Sequence, residues 1–302
     1  MKKNLRNLVA VTLAAVVATF ALLPFPASAQ SVPTPQSKVV SAYYNAADVS
    51  PALYVKFVGV ETNPTAATTV AVSAGASITF IKDGAAYDGF ECPVSGALGG
   101  IIDTTNAACD TLGEIVDVIN SDIKKNFVAV IANGLRSDPV QTSGNLLTIG
   151  ASTAVKSPTG MPLFWDTSVD DNENLGLWDI NKGILNWMAD GSRKLPSASA
   201  WADTDSTLIY GLEQFTNAGT LGALDVYCVV ENYAAHTETV YTLFEKTAAA
   251  TTVVGQINEL TAVGGWHCQG GKLFVRIDGS GADTSAWKFN LYGYATPMAF
   301  GR

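Results

Sequence analysis

Four cysteines and two histidines are the side chains of this sequence that could form disulfides or bind a metal ion. They are Cys92, Cys109, Cys228, Cys268, His236 and His267. Both histidines lie near the last two cysteines, so a zinc site with two thiolates and two imidazoles is one interpretation. His267 directly precedes Cys268, and on a strand the two side chains would point to opposite faces, which disfavours that site. In an oxidising compartment two disulfides are favoured, joining Cys92 to Cys109 and Cys228 to Cys268.

A run of oxygen-bearing side chains from Asp170 to Asn174 offers the hard ligands that calcium takes. Asp170, Asp171 and Glu173 are the carboxylates that would bind the ion. The run does not follow the spaced Asp-x-Asp-x-Asp-Gly pattern of a calcium loop, so a solvated acidic loop is the competing interpretation. The solvated loop is the interpretation we favour, so the sequence predicts no cofactor and leaves bound calcium as the alternative.

Four of the six tryptophans, namely Trp165, Trp178, Trp187 and Trp201, lie in one stretch of the chain, residues 153–205. Flat aromatic side chains on an extracellular scaffold can stack on sugar rings or anchor a subunit contact. They also pack between domains, which is the interpretation we favour. These tryptophans are the candidate binding residues of the sequence.

Motifs for catalysis are scarce. The chain has two histidines, and it contains neither a Gly-x-Ser-x-Gly elbow nor a His-Glu-x-x-His pair. Paired carboxylates could hydrolyse a glycosidic bond, but sequence spacing does not show which two acids face each other. The sequence therefore favours a protein that is not an enzyme and names no catalytic residue.

The start of the chain predicts export. Lys2, Lys3 and Arg6 precede the apolar run Leu8–Leu23, and small residues follow at Ala27-Ser28-Ala29. This is the pattern of a signal peptide, residues 1–29, and it predicts a secreted protein with no membrane span after cleavage. Without those residues 15 basic side chains remain against 27 acidic ones, a formal charge of −12. Such a surface argues against nucleic acid as the partner.

Hydrophobic periodicity predicts a mainly β protein with a minor α component. In residues 111–120, Leu112, Ile115, Val116 and Ile119 recur on one helical face, with Asp110 as N-cap or first-turn acid and Glu114, Asp117 and Asn120 exposed. Strands are predicted at 53–58, 68–72, 77–81, 126–131 and 145–149, with a turn at Lys82-Asp83-Gly84 after the third, and a short helix is predicted at 181–189. Six more strands are predicted at 207–215, 224–233, 239–245, 251–257, 272–278 and 287–294.

This pattern divides the chain into five parts. A signal peptide (1–29) and a flexible leader (30–38) precede an N-terminal β-rich α+β module with one helix (39–152). A tryptophan-rich connector (153–205) leads to a C-terminal antiparallel β-sandwich or jelly-roll-like domain (206–302), because the links between its strands are too short for helical crossovers.

Three segments of the N-terminal module carry a resemblance: TLGEIVDVIN at 111–120, FVAV at 127–130 and LLTI at 146–149. Their order resembles the "Ile-Asn" module of flagellin-type and hook-associated proteins, also seen in some phage tail and virion proteins, over residues 77–152. The chain departs from flagellins in lacking their long terminal helices and in carrying Cys92 and Cys109. The resemblance implies a structural module on an extracellular assembly and carries over no catalytic residue.

The sequence therefore predicts an exported, non-enzymatic structural or interaction protein of an appendage, virion or surface assembly, located outside the cell, at its surface or in the periplasm. Its expected partners are protein subunits, including further copies of itself in a homo-oligomer, or a surface glycan involved in adhesion. A carbohydrate- or surface-binding module is the first alternative. A glycan-active enzyme that uses paired carboxylates is the second.

Overall fold

Antiparallel strands make up most of the computed structural model of this protein. The residues that it describes are 38–45, 51–73, 77–91, 98–140, 146–147, 153–165, 172–176, 205–216, 223–246, 257–259, 266–268, 271–278 and 288–297. Every strand pairing among them is antiparallel. Together with one α-helix in the same residues, this confirms the predicted mainly β class with a minor α part.

The strands of the N-terminal half are β1 (Lys38–Asn45), β2 (Pro51–Phe57), β3 (Thr69–Ser73), β4 (Ser77–Lys82), β5 (Ala85–Ala86), β6 (Phe90–Glu91), β7 (Leu98–Gly99), β8 (Ile101–Asp103), β9 (Phe127–Ile131), β10 (Leu146–Leu147), β11 (Met161–Trp165) and β12 (Asn172–Gly176). Those of the C-terminal half are β13 (Asp205–Thr216), β14 (Ala223–Asn232), β15 (Thr237–Lys246), β16 (Ile257–Glu259), β17 (Trp266–Cys268), β18 (Lys272–Asp278) and β19 (Lys288–Pro297). The helices are α1 (Leu112–Asn120) and a 3-10 turn at Thr153–Lys156.

The described strands form five sheets. One is the two-stranded pair β6-β7, and each of the other four is named here by a central strand. The β2 sheet has the order β10-β11-β2-β9, and the β14 sheet has the order β12-β18-β14-β15. The β4 sheet consists of β3, β4, β5 and β8, and the β13 sheet runs β1-β19-β13-β16 with β17 also on β13. Strand β1 thus pairs with β19 from the far end of the chain, within a compact unit that spans Ser37–Arg302.

Helix α1 covers the buried core of the N-terminal half. Leu112, Ile115, Val116 and Ile119 are fully buried, as predicted. The predicted cap at Asp110 is wrong. Thr111 is the N-cap, because its side chain accepts from the Glu114 N–H while the Glu114 carboxylate accepts from the Thr111 N–H.

The predicted exposure of the polar helix residues is also corrected. Asn120 is 8% exposed, and its amide both donates to the Ala129 carbonyl at 3.0 Å and accepts from the Ala129 N–H at 2.8 Å. Asp117 is half-buried in an ion pair with Arg136, and Glu114 is half-buried in the cap. The helix cap thus engages Glu114, the loop after β9 engages Asp117, and strand β9 engages Asn120.

The turn predicted at Lys82-Asp83-Gly84 is confirmed and links β4 to β5. Asp83 and Gly84 both have a positive φ, 53° and 79°, as a tight two-residue hairpin turn requires. The side chains of Thr62 and Lys82 donate to the Asp83 carboxylate and lower its pKa. The aspartate therefore fastens the adjacent loop to the hairpin.

The disulfide between Cys228 and Cys268 is present, with an S–S distance of 2.08 Å and a Cα–Cα distance of 5.5 Å. It confirms that predicted pair and connects β14 to β17. Both sulfurs are bonded to each other, so neither is a thiolate for the zinc site considered above. Cys92 lies outside the described residues and Cys109 is buried, so their pairing stays a prediction.

Strand bounds agree closely with the sequence where both can be compared. Residues 272–278 form a strand as predicted. The strand predicted at 251–257 stays a prediction, since residues 251–256 lie outside the described part and only Ile257 falls in β16. The predicted helix at 181–189 lies outside it too. Within the described ranges, no helix combines the length and apolar character needed to cross a membrane.

Candidate functional site

The candidate site is the outer edge of strand β15, and its position depends on a cluster of charged side chains at the start of the strand. The Glu238 carboxylate accepts the Arg136 N–H at 3.0 and 3.1 Å, so the side chain turns toward the loop that follows β9. Arg136 in turn pairs with Asp117 of α1 at 2.5 Å. His236, at the hairpin turn, lies 2.8 Å from Asp117 Oδ1 but without hydrogen-bond alignment.

Next to this cluster, β14 and β18 meet the edge of β9 through a buried polar group. The ammonium of Lys272 contacts the Glu231 carboxylate, and both side chains are fully buried. Lys272 Nζ also donates to the Ile131 carbonyl at 3.4 Å, and the Tyr233 hydroxyl accepts from the Ile131 N–H at 2.9 Å. The lysine charge is tolerated at this depth because the Glu231 carboxylate and the Ile131 carbonyl are its partners.

Burial also changes the titration of this cluster. Desolvation is the main cause that raises the pKa of the Tyr233 hydroxyl well above its usual value, and the neighbouring Glu231 charge raises it further. Desolvation likewise raises the pKa of Glu238, against the hydrogen bonds from Arg136 and the positive charge of Lys272. Tyr233 is therefore a neutral hydrogen-bonding group at any physiological pH.

The outer edge of β9 is occupied along its length by side chains. Its outward N–H groups at Phe127, Ala129 and Ile131 are taken by an acceptor from Asp122, Asn120 and Tyr233, at 3.1, 2.8 and 2.9 Å. The carbonyls of Ala129 and Ile131 accept from Asn120 and Lys272. Strand β9 ends the β2 sheet, yet it offers little free backbone to another strand.

Strand β15 ends the β14 sheet, and its surroundings differ. It pairs with β14 alone among the described strands. Residues 239–242 are all exposed, with Val240 at 37% and Tyr241 at 53%. Because successive side chains point to opposite faces, this exposure means that β15 projects beyond the packed core on both faces.

An open edge of this kind can bind another strand by backbone hydrogen bonds, which requires neither a catalytic group nor a metal. Natural sheet edges are commonly blocked by charge, proline or a bulge. In β15, residues 239–242 contain no charge and no proline, and the register shift opposite Val226 and Tyr227 comes only after Thr242. The regular stretch from Thr237 to Thr242 is therefore suited to pairing.

A shallow depression beside Cys109 has about 380 Å³ of space that is open to solvent. Glu91 and Asp103 are the carboxylates in its lining. The Thr105 side chain and N–H donate to Asp103 and lower its pKa. A glycosidase acid needs a raised pKa, so Asp103 is poorly suited to that role.

The predicted site residues fall mostly outside the described part. Trp178, Trp187, Trp201, Asp170 and Asp171 all lie there. Trp165 ends β11 and Glu173 lies in β12, where only the backbone is described. The tryptophan and calcium interpretations stay predictions. In the described ranges, no three His, Cys, Asp or Glu side chains come together as a metal-binding group.

Sequence reasoning placed a strand at residues 239–245 but did not single out its edge, nor did it identify Glu231, Tyr233 and Lys272 as a buried group. A signal for the group was present. Glu231 and Lys272 are charges within or beside apolar strand segments, CVVEN and KLFVRID, and such charges are buried only with a partner. No comparable signal indicates that β15 is an edge strand, because a single sequence does not show the order of the strands in a sheet.

Comparison of the chain with protein-family models, curated proteins and solved structures finds no match. The resemblance of residues 77–152 to the flagellin-type module therefore stays a prediction.

Proposed function

We propose that this protein is an exported, non-enzymatic structural or interaction protein that joins an extracellular assembly through the outer edge of strand β15. The observation that carries the proposal is the exposure of residues 239–242 on both faces of an edge strand. An edge with a stretch that is uncharged and regular, as residues 239–242 are, is a hazard for a protein that works alone and an advantage for one that binds a partner strand.

The arrangement around β15 supports a role in contact. The strand begins at a firmly held end, where Glu238 is bound by the Arg136 N–H, and its sheet is crosslinked by the Cys228–Cys268 disulfide. A rigid edge loses little conformational entropy when it binds, so a short stretch of backbone pairing yields more affinity. The disulfide also suits an oxidising compartment, in agreement with the signal peptide that the sequence predicts.

The proposal is tested on the protein in its native setting. The wild type and Val240→Lys are expressed in the source cell, and native mass and negative-stain imaging follow the protein in the exported fraction. The wild type is expected in a larger particle, and Val240→Lys as a free chain, since lysine blocks edge pairing. Val60→Lys is the matched control, because Val60 is 70% exposed and lies outside β15.

Two results would overturn the proposal: a wild-type protein that is exported only as a free monomer, or incorporation of Val240→Lys at the wild-type level. Turnover of a glycan by the purified protein would favour the enzyme alternative instead.

A further inference from the structure

We infer that the partner at β15 is a second copy of this chain, paired antiparallel about a twofold axis through Val240. This inference rests on the proposed function, because it needs the same edge to be a contact surface. It adds the identity of the partner and the register of the pairing.

The register follows from the geometry of antiparallel strands. Residues opposite each other direct their backbone groups the same way, either both toward the partner strand or both away from it. Two copies of one strand can therefore pair symmetrically only when the axis passes through a residue, so that even-numbered residues oppose even-numbered ones. The regular stretch Thr237–Thr242 ends at the register shift, and an axis through Val240 pairs residues 238–242 inside it.

Side-chain complementarity favours this axis. Val240 would oppose its own copy on one face, and on the other face Thr239 would oppose Tyr241 twice. Aromatic and β-branched residues are good cross-strand neighbours. Val240 and Tyr241, now 37% and 53% exposed, would both become covered at the centre of the contact.

Charge does not oppose the pairing despite the acidic chain. In this register Glu238 faces Thr242 of the second copy, and its carboxylate is already turned toward the Arg136 N–H. The two Glu238 residues would lie four positions apart along the strands, about 14 Å at 3.4 Å per residue. That separation exceeds the screening length of about 8 Å at physiological ionic strength.

The predicted dimer is weak by itself. One short strand pair covers less than the roughly 1,200 Å² that marks the lower limit of stable interfaces, so the contact is expected to be reversible. Within an extracellular assembly a second contact would raise its effective strength.

The test uses charge reversal at the axis. Sedimentation velocity of the purified exported protein is measured from about 5 to 500 μM, the range expected for a contact of this size. The wild type is expected to dimerise with rising concentration, whereas Val240→Lys and Val240→Glu each dimerise at least about tenfold more weakly, because like charges then face each other. An equimolar mixture of the two variants is expected to form a heterodimer at least as readily as the wild type dimerises.

Rescue by mixing separates a second copy from any other partner, since only self-pairing brings residue 240 against residue 240. Val60→Lys is again the control, and circular dichroism confirms that each variant is folded. A wild type that stays monomeric throughout the range, or single variants that the mixture does not rescue, overturns the inference. If the wild type is monomeric when purified but Val240→Lys still leaves the native particle, the proposed function stands and the second copy is excluded.

Discussion

Strands β9 and β15 each end a four-stranded sheet, and their outer backbone groups meet different surroundings. Along β9, side chains of Asp122, Asn120 and Tyr233 accept from three successive outward N–H groups. Along β15, residues 239–242 face solvent on both sides. The outward backbone groups of β9 are thus bound by side chains of the same chain, whereas those of β15 between residues 239 and 242 face solvent.

The difference separates an edge that the chain closes with its own side chains from an edge that we propose as a contact surface. Closing β9 requires a buried lysine, a buried glutamate and a buried tyrosine hydroxyl, and each would be costly without its partners. No such group lies on residues 239–242 of β15. A chain that closes one edge so fully and leaves residues 239–242 of the other uncharged is consistent with a specific use for the open edge.

The largest expected loss of stability comes from a substitution at the closed edge, that of β9. Lys272→Met leaves the fully buried Glu231 without its counter-charge, so we expect a loss of about 3–5 kcal/mol in the free energy of unfolding. Urea denaturation at pH 7 measures it. Lys124→Met is the matched control, because Lys124 pairs with Asp88 at the exposed surface. Equal, small losses of stability in the two variants would contradict a stabilising role for the Lys272–Glu231 pair at the edge of β9.

Adding Glu231→Leu to Lys272→Met should recover most of that loss, because an apolar pair no longer buries an unpaired charge. A double variant that is less stable than Lys272→Met would mean that Glu231 contributes to stability independently of the lysine.

The disulfide holds the sheet that carries the open edge. Replacing Cys228 and Cys268 together with alanine is expected to cost about 3–4 kcal/mol in the chain-entropy account of a loop of this length. Thermal melts of oxidised wild type and variant compare the two. Non-reducing peptide mapping must find the Cys228–Cys268 bridge in the wild type, and free thiols at these positions would refute the assignment.

Asn120→Ala should open the middle of the β9 edge. It removes two hydrogen bonds to Ala129, and the expected cost is about 2 kcal/mol because both backbone groups are left buried. Amide hydrogen exchange should show the Ala129 N–H losing more protection than those of β2. Uniform loss across the sheet would indicate a global effect instead of an opened edge.

The charge at the start of β15 gives a pH dependence with a defined sign. Burial raises the pKa of Glu238 above its ordinary value of 4.5, so folding favours the protonated form. The stability that protonated Glu238 contributes is fully present below pH 4.5 and is lost as the pH rises through the folded-state pKa of Glu238. Glu238→Gln keeps an acceptor for the Arg136 N–H and removes the charge. Its stability relative to wild type should therefore increase from pH 4 to pH 7.

Thermal melts of both proteins across that pH range check the sign. A stability difference that is constant with pH, or that changes in favour of the wild type toward neutral pH, would contradict it.

The smallest expected effect on stability is at the open edge. Val240→Thr should change the free energy of unfolding by no more than about 0.5 kcal/mol, since the side chain is exposed. The same change at Val130 of β9, which is fully buried, should cost about 1–3 kcal/mol by burying a hydroxyl. Similar costs at the two positions would erase the contrast between the edges.

Much of the fold could be predicted from the sequence because its signals are local. The apolar face of α1, the Lys82-Asp83-Gly84 turn and strand β18 depend on residue spacing over fewer than ten positions. The pairing of β1 with β19 could not be predicted, because strands pair through backbone groups that are the same in nearly every residue type.

The candidate site was beyond the sequence for the same reason. In the sequence, Thr239–Thr242 is typical of any strand, and only the order of the sheet shows that β15 pairs with β14 alone among the described strands. Asn120 was misjudged because a polar residue at a helix end is usually solvated, and only the nearby edge of β9 provides a reason to bury it.

Amide hydrogen exchange of the dilute monomeric protein tests the contrast between the two edges most directly. We expect strong protection of the Phe127, Ala129 and Ile131 amides, because side chains accept their N–H groups. Between 239 and 242 we expect alternate amides, those directed away from β14, to exchange close to the rate of an unprotected peptide. Protection of all four amides of that stretch to the level of β9 in the monomer would contradict it, because the edge of β15 would then already be closed.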